Sequence, residues 1–129
     1  MKTLRLQYVD GRYDLVMSNG KPEVLDSANP SQKKEILQQR FQKIVRSKPN
    51  FFDPDYGGNI GSVIGAQKSV SIALLSRVFE RVNNWFRKND SGIGNAAIRG
   101  VRITAIETGR VDAIVYGAES QVPTAIENK

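Results

Sequence analysis

The chain reads as an α+β domain: an N-terminal β-hairpin, two central amphipathic helices and a C-terminal antiparallel β-hairpin, forming a single compact unit. Three observations predict it. Apolar and polar residues alternate over 4–17 and again over 98–116, the period of half-buried strands. Between these stretches the apolar residues recur at helical spacing. Strands at both ends with helices between them fit segregated α and β layers, not a repeating βαβ order.

Each element has its own signal. Leu4, Leu6 and Tyr8 alternate in the first strand, and Tyr13, Leu15 and Met17 in the second. Asp10-Gly11 lies between them, a turn pair in which both positions tolerate φ > 0. Asn19-Gly20 repeats that signal, and Lys21 to Leu25 reads as a further short strand interrupted by Pro22. In "ANPSQKKEILQQRFQKIVRSKP", Asn29 suits an N-cap, Pro30 the N1 position and Gln32 the N3 position of a capping box. Ile36, Leu37, Phe41, Ile44 and Val45 make one apolar stripe; Lys33, Lys34, Arg40, Lys43 and Arg46 fall mostly off it. Pro49 ends this helix near Ser47, because the residue before proline resists the α region.

"NFFDPDYGGNIGS", residues 50–62, follows as a loop rich in aromatic residues, and Ser62 to Lys68 reads as a turn of helix. The second helix spans about Val70 to Lys88. Leu74, Leu75, Val78, Phe79, Val82, Trp85 and Phe86 share one arc of it, and Asn89, Asp90, Ser91 and Gly92 terminate it. In the terminal hairpin Val101, Ile103 and Ala105 alternate with Arg102, Thr104 and Ile106. Thr108-Gly109 marks the turn, and Val111, Ala113 and Val115 alternate with Asp112, Ile114 and Tyr116. Residues 118–129 are polar and carry Pro123, so they read as a flexible tail after a domain over 1–117.

Composition narrows the function. With 129 residues and 40% hydrophobic content, the chain suffices for one domain with a core. The absence of cysteine removes disulfides and thiolate chemistry. The absence of histidine removes the commonest general base and metal ligand. The longest apolar runs are only a few residues, too short to span a membrane. The N-terminus begins like a secretion signal, but Asp10 and Gly11 interrupt it, so synthesis in the cytoplasm is expected. A net charge of +6 and a pI near 9.8 fit a polyanion or an acidic protein as partner. The basic residues are dispersed along the chain, which disfavours nucleic acid.

No constellation carries catalysis. Asp53 and Asp55 flank Pro54 in the loop, a turn setting. Glu80 shares the polar face of the second helix with Arg77 and Arg81, an ion-pairing setting instead of the apolar burial a general acid needs. Asp-Pro-Asp lacks the later glycine and terminal glutamate of a calcium loop. Gly57, Gly58 and Gly61 are followed by no Gly-Lys-Ser/Thr, so they serve a chain reversal. No catalytic, cofactor-binding or metal-binding residue is therefore expected. Three candidate surfaces remain. One is the loop of Phe51, Phe52, Asp53, Asp55, Tyr56, Gly57 and Gly58. Another is a basic face of Arg77, Arg81 and Lys88 with Arg99 and Arg102. The third is the terminal strand, with Val111, Ala113, Ile114, Val115 and Tyr116 read as an exposed sheet edge.

"RYDLVMSNGKPEV", the helix with "QQRFQKIV", the loop "FFDPDYGGNIGSVIG" and the long helix before a hairpin together resemble small baseplate wedge proteins of contractile-tailed bacteriophages. These are the sheath-initiator family, including its Mu-type branch. Asp14, Gly20, Gln38, Asp53, Pro54, Asp55, Tyr56, Gly57 and Gly58 match the family pattern, and the likeness covers roughly residues 10–117. The chain departs from it at the Glu-Pro-Arg triplet many members carry after the second helix. Ile98-Arg99-Gly100-Val101-Arg102 stands there instead.

The resemblance implies a virion structural protein with no enzymatic activity, small-molecule substrate or membrane. Its implied partners are other wedge proteins and the tail sheath protein, with the tail tube or hub as further neighbours. Its terminal sheet would template the first sheath ring by strand addition, and the aromatic loop would be a docking and packing element. A basic nucleic-acid-binding domain is the alternative. A peptidoglycan hydrolase is a third reading, because some members are described as lysozyme-like.

Overall fold

The computed structural model describes residues 1–48, 57, 60, 72–90, 94–107 and 109–127. The α+β class expected from the alternation patterns is the architecture found. Strands β1 (Lys2–Leu4), β2 (Leu6–Val9), β3 (Arg12–Leu15), β4 (Met17–Ser18), β5 (Lys21–Pro22) and β6 (Val24–Asp26) come first. Helices α1 (Pro30–Arg46) and α2 (Ile72–Asn89) follow, then β7 (Gly100–Glu107), β8 (Arg110–Tyr116) and β9 (Gln121–Glu127).

The N-terminal lobe is more elaborate than one hairpin. Three antiparallel ladders, β1 with β6, β2 with β3 and β4 with β5, meet where Arg5, Val16 and Glu23 bond to one another in a ring. Arg5 N–H donates to the Glu23 carbonyl at 2.9 Å, Glu23 N–H to that of Val16 at 2.8 Å, and Val16 N–H to that of Arg5 at 3.1 Å. Two of the ladders close through the expected turns. Asp10 and Gly11 have φ of 52° and 82°, and Asn19 and Gly20 have 51° and 76°, the doubly left-handed geometry that suits strand twist.

Helix α1 begins as expected. The Asn29 side chain accepts from the N–H of Ser31 and of Gln32, and Pro30 occupies the first turn. Gln32 does not complete a capping box; its Oε1 accepts from Asp26 N–H at 2.8 Å, tying β6 to the helix. The predicted stripe Ile36, Leu37, Phe41, Ile44 and Val45 is buried throughout. On α2, Leu75, Val78, Phe79, Val82 and Phe86 are buried, while Leu74 at the margin of the arc is 39% exposed. The Phe41 and Phe79 rings meet at 5.9 Å and 58°. Both helices pack on one face of the C-terminal sheet, with Val101, Val111, Ala113, Val115, Val122 and Ile126 completing the core.

That sheet corrects three expectations. Of the expected flexible tail over 118–129, residues 118–127 are described, and they are no tail: β9 pairs with β8 from Arg110↔Glu127 to Tyr116↔Gln121. Pro123 hid the strand, although its missing N–H falls on the outer side of the ladder, where no bond to β8 is required. The domain therefore runs past residue 117. Ala105 does not share the inward face with Val101 and Ile103, because the register steps between Ile103 and Ala105. The inserted residue restarts the alternation and Ile106 packs on the core instead. Finally, β8 is the central strand, in the order β7-β8-β9.

Candidate partner-binding surfaces

The edge assigned to Val111, Ala113, Ile114, Val115 and Tyr116 is thus not an edge. Val111, Ala113 and Val115 are buried beneath the helices. Tyr116 lies between Gly100 on one side and Gln121 on the other. The outer strands of the sheet are β7 and β9.

The edge of β9 is sealed by α1. Gln38 Nε2 donates to the Pro123 carbonyl at 2.8 Å. Gln42 Nε2 donates to the Ala125 carbonyl at 3.1 Å and to Thr124 Oγ1 at 2.8 Å, and Arg46 Nη2 to the Glu127 carbonyl at 3.1 Å. Donors every fourth helical residue meet acceptors every second strand residue. The match is geometric, since four residues of helix rise about 6 Å and two residues of strand about 6.7 Å. Arg46 also stands 4.0 Å from the ring centroid of Tyr8 in β2, and so joins both lobes. Gln39 completes the series on the other side: its Oε1 accepts from Leu6 N–H and its Nε2 donates to the Leu4 carbonyl.

The first part of the β7 edge is closed as well. Asn83 of α2 accepts from Val101 N–H at 2.9 Å and donates to the Val101 carbonyl at 3.2 Å. Val101 therefore turns both backbone groups away from β8. Beyond it, Ile103 and Ile106 stand in the same relation to β8, opposite Ala113 and Val111, two residues that the alternation set by the bond from Gly117 N–H to the Ser120 carbonyl turns towards β9. No hydrogen bond from outside the sheet reaches Ile103 or Ile106 among the described residues. Among the described residues, the open edge is the second half of β7. Its sequence signal lay in Asn83, a weak helix former in mid-helix, and in the glutamines of α1, whose amides suit strand backbone.

Of the aromatic loop, Phe51, Phe52, Asp53, Asp55, Tyr56 and Gly58 lie outside the described residues. Gly57 and Ile60 are described, and both are buried. Gly57 has φ of 85° and abuts the Lys48 carbonyl so closely that a Cβ would collide with it. Ile60 N–H donates to the Val45 carbonyl at 2.9 Å. Ile60 therefore bonds to the last turn of α1, and Gly57 packs against the two residues that follow it.

The basic residues are dispersed. Arg77 and Lys88 are exposed on α2 and Arg81 is half-buried there. Arg99 lines an open cavity of about 350 Å³ with Phe86, Arg87, Asp90 and Ile98. Arg102 stands on the outer face of the sheet, 5.9 Å from the ring centroid of Tyr116. Glu80 is exposed. Among the described residues, no acidic cluster could hold a metal ion and no helix is long and apolar enough to cross a membrane. Comparisons with protein families, with curated proteins and with solved structures found no match.

Proposed function

We propose that this chain is a structural, non-enzymatic wedge component of a contractile phage tail baseplate that nucleates the tail sheath by offering a sheet edge. The observation that supports it is the unequal treatment of the two edges. α1 caps the outer carbonyls of β9, Asn83 caps the start of β7, and among the described residues nothing caps the outward groups of the rest of β7, which suits strand addition. The resemblance of Asp14, Gly20, Gln38 and the loop to the wedge family supports the same reading. On it, the chain resides in the virion baseplate after synthesis in the host cytoplasm. It contacts other wedge proteins, the sheath protein and the neighbouring tube or hub, and takes no cofactor.

Complementation of a tail-assembly defect tests this. Ile106→Pro removes the outward N–H of the open edge and is expected to yield tubes without sheaths by electron microscopy, with the fold verified by circular dichroism. Normal sheaths around a folded variant overturn the templating role. Phe52→Ala is expected to impair particle assembly and Asp55→Asn to spare it, since an aromatic anchor contributes about 1.5–3 kcal/mol by burial. A mobility shift with DNA or RNA at physiological salt would instead favour nucleic-acid binding. Peptidoglycan clearing lost on Glu80→Gln would favour a hydrolase.

A further inference from the structure

We infer that the open half of β7 pairs antiparallel with the same segment of a second copy of this chain. The inference does not depend on the baseplate reading; on that reading the reversible dimer opens before a sheath strand takes the same edge. It rests on a self-complementarity of residues 102–107. A two-fold axis between Thr104 and Ala105 sets Ile103 of one copy opposite Ile106 of the other. Both carry outward-turned backbone groups, by their register against β8 and by the example of Val101 beside them. Each such pair can exchange its N–H and C=O with its opposite.

The step between Ile103 and Ala105 supports a second copy as the occupant. It spaces the two outward residues three apart, whereas a regular strand presents such groups at every second residue. A second β7 carries the same step at the matching place, so both pairs form together. The side chains agree with the backbone. The same register opposes Arg102 to Glu107 of the other copy, twice by symmetry. Both residues are exposed, on the sheet face away from the core residues Val101, Ile103 and Ile106. A register centred on Arg102 or on Glu107 would oppose like charges. The pairing also stops at the right place: the next residue, Val101, has its groups taken by Asn83.

Sedimentation equilibrium of the purified full chain at low salt tests the inference. A reversible monomer–dimer equilibrium is expected, weakened by added salt. Arg102→Glu and Glu107→Arg should each raise the dimer dissociation constant by roughly tenfold, because opposed like charges replace opposed unlike ones at two symmetric positions. The double variant Arg102→Glu/Glu107→Arg should restore the parent value to within a few-fold. Both side chains are exposed, and circular dichroism should show an unchanged fold in every variant. A monomer throughout the high micromolar range overturns the inference. So does a dimer that neither single reversal weakens, or one that the double reversal fails to restore.

Discussion

Arg40 and Asp90, fifty positions apart, form a two-pronged ion pair between the middle of α1 and the residue that ends α2. Arg40 Nη1 and Nη2 donate to Asp90 Oδ2 and Oδ1 at 2.7 and 2.6 Å. The Asp90 side chain is 1% exposed and that of Arg40 16%. Each partner is held by a further bond: Asp90 Oδ2 accepts from Ile98 N–H at 2.7 Å, and Arg40 Nη1 donates to the Ala96 carbonyl at 2.8 Å. The pair thus fixes the two helices and the chain leading into β7.

Because Asp90 is buried, removing its partner leaves a charge with no compensation. Arg40→Met is expected to destabilise the fold by about 3–5 kcal/mol, and Asp90→Ala by a similar amount. The double variant should lose clearly less than the sum of the two, since neither charge is then stranded. Urea unfolding of the four proteins measures this; strict additivity would show that the pair is not coupled.

Local patterns made the fold class legible, and the stripe of α1 and both Asx-Gly turns lie where the sequence places them. What escaped depends on partners distant in the chain. Arg40 sits off the apolar stripe of α1 and looks solvated until Asp90 arrives from the end of α2. β9 carries a proline and polar residues and looks like a tail until its outer carbonyls meet α1. The edge status of β8 rested on treating it as the last strand, so it failed with the discovery of β9. The step at Thr104 is invisible in composition, because only pairing with β8 reveals the extra residue.

Gly57 is expected to resist substitution. Its φ of 85° strains any other residue, and an added Cβ would also stand 2.7 Å from the Ser47 carbonyl oxygen and nearer still to that of Lys48. Gly20, with φ of 76° and nothing within 4 Å, isolates the backbone contribution of roughly 1–2 kcal/mol. Gly57→Ala should lower the urea midpoint further than Gly20→Ala. Equal losses would mean that the end of α1 yields freely to the methyl group.

Deleting residues 118–129 is expected to abolish cooperative unfolding. Val122 and Ile126 are 2% and 1% exposed, and burial of each contributes about 1.5–3 kcal/mol. The deletion also strips Val111, Ala113 and Val115 of their β9 partners and leaves Gln38, Gln42 and Arg46 without their strand acceptors. Thermal circular dichroism of chain 1–117 measures the outcome, and a melting transition like that of the full chain would contradict it. In the full chain the amide protons of these three β8 residues should exchange slowly, as expected for a central strand.

Tyr13 should govern part of the alkaline limit of stability. Its hydroxyl is buried with no hydrogen-bond partner among the described residues. Burial pushes its pKa from the ordinary 10.0 up to about 12, although the positive charge of Arg46 pulls the other way. The folded chain therefore holds the phenolic proton more tightly than the unfolded chain does. This contribution is complete below pH 10, and is lost as pH rises from 10 towards 12. Tyr13→Phe removes both the titration and the unpartnered hydroxyl. The variant should match or slightly exceed the parent at neutral pH, because an unsatisfied buried polar atom is deleted. Between pH 10 and 12 its stability should fall less steeply than that of the parent, whose Tyr13 titrates in that window. Urea unfolding across this range, with phenolate absorbance followed in parallel, measures both effects. Identical slopes in the two proteins would place the Tyr13 hydroxyl in water, and a large loss at neutral pH would mean that it has a hydrogen-bond partner.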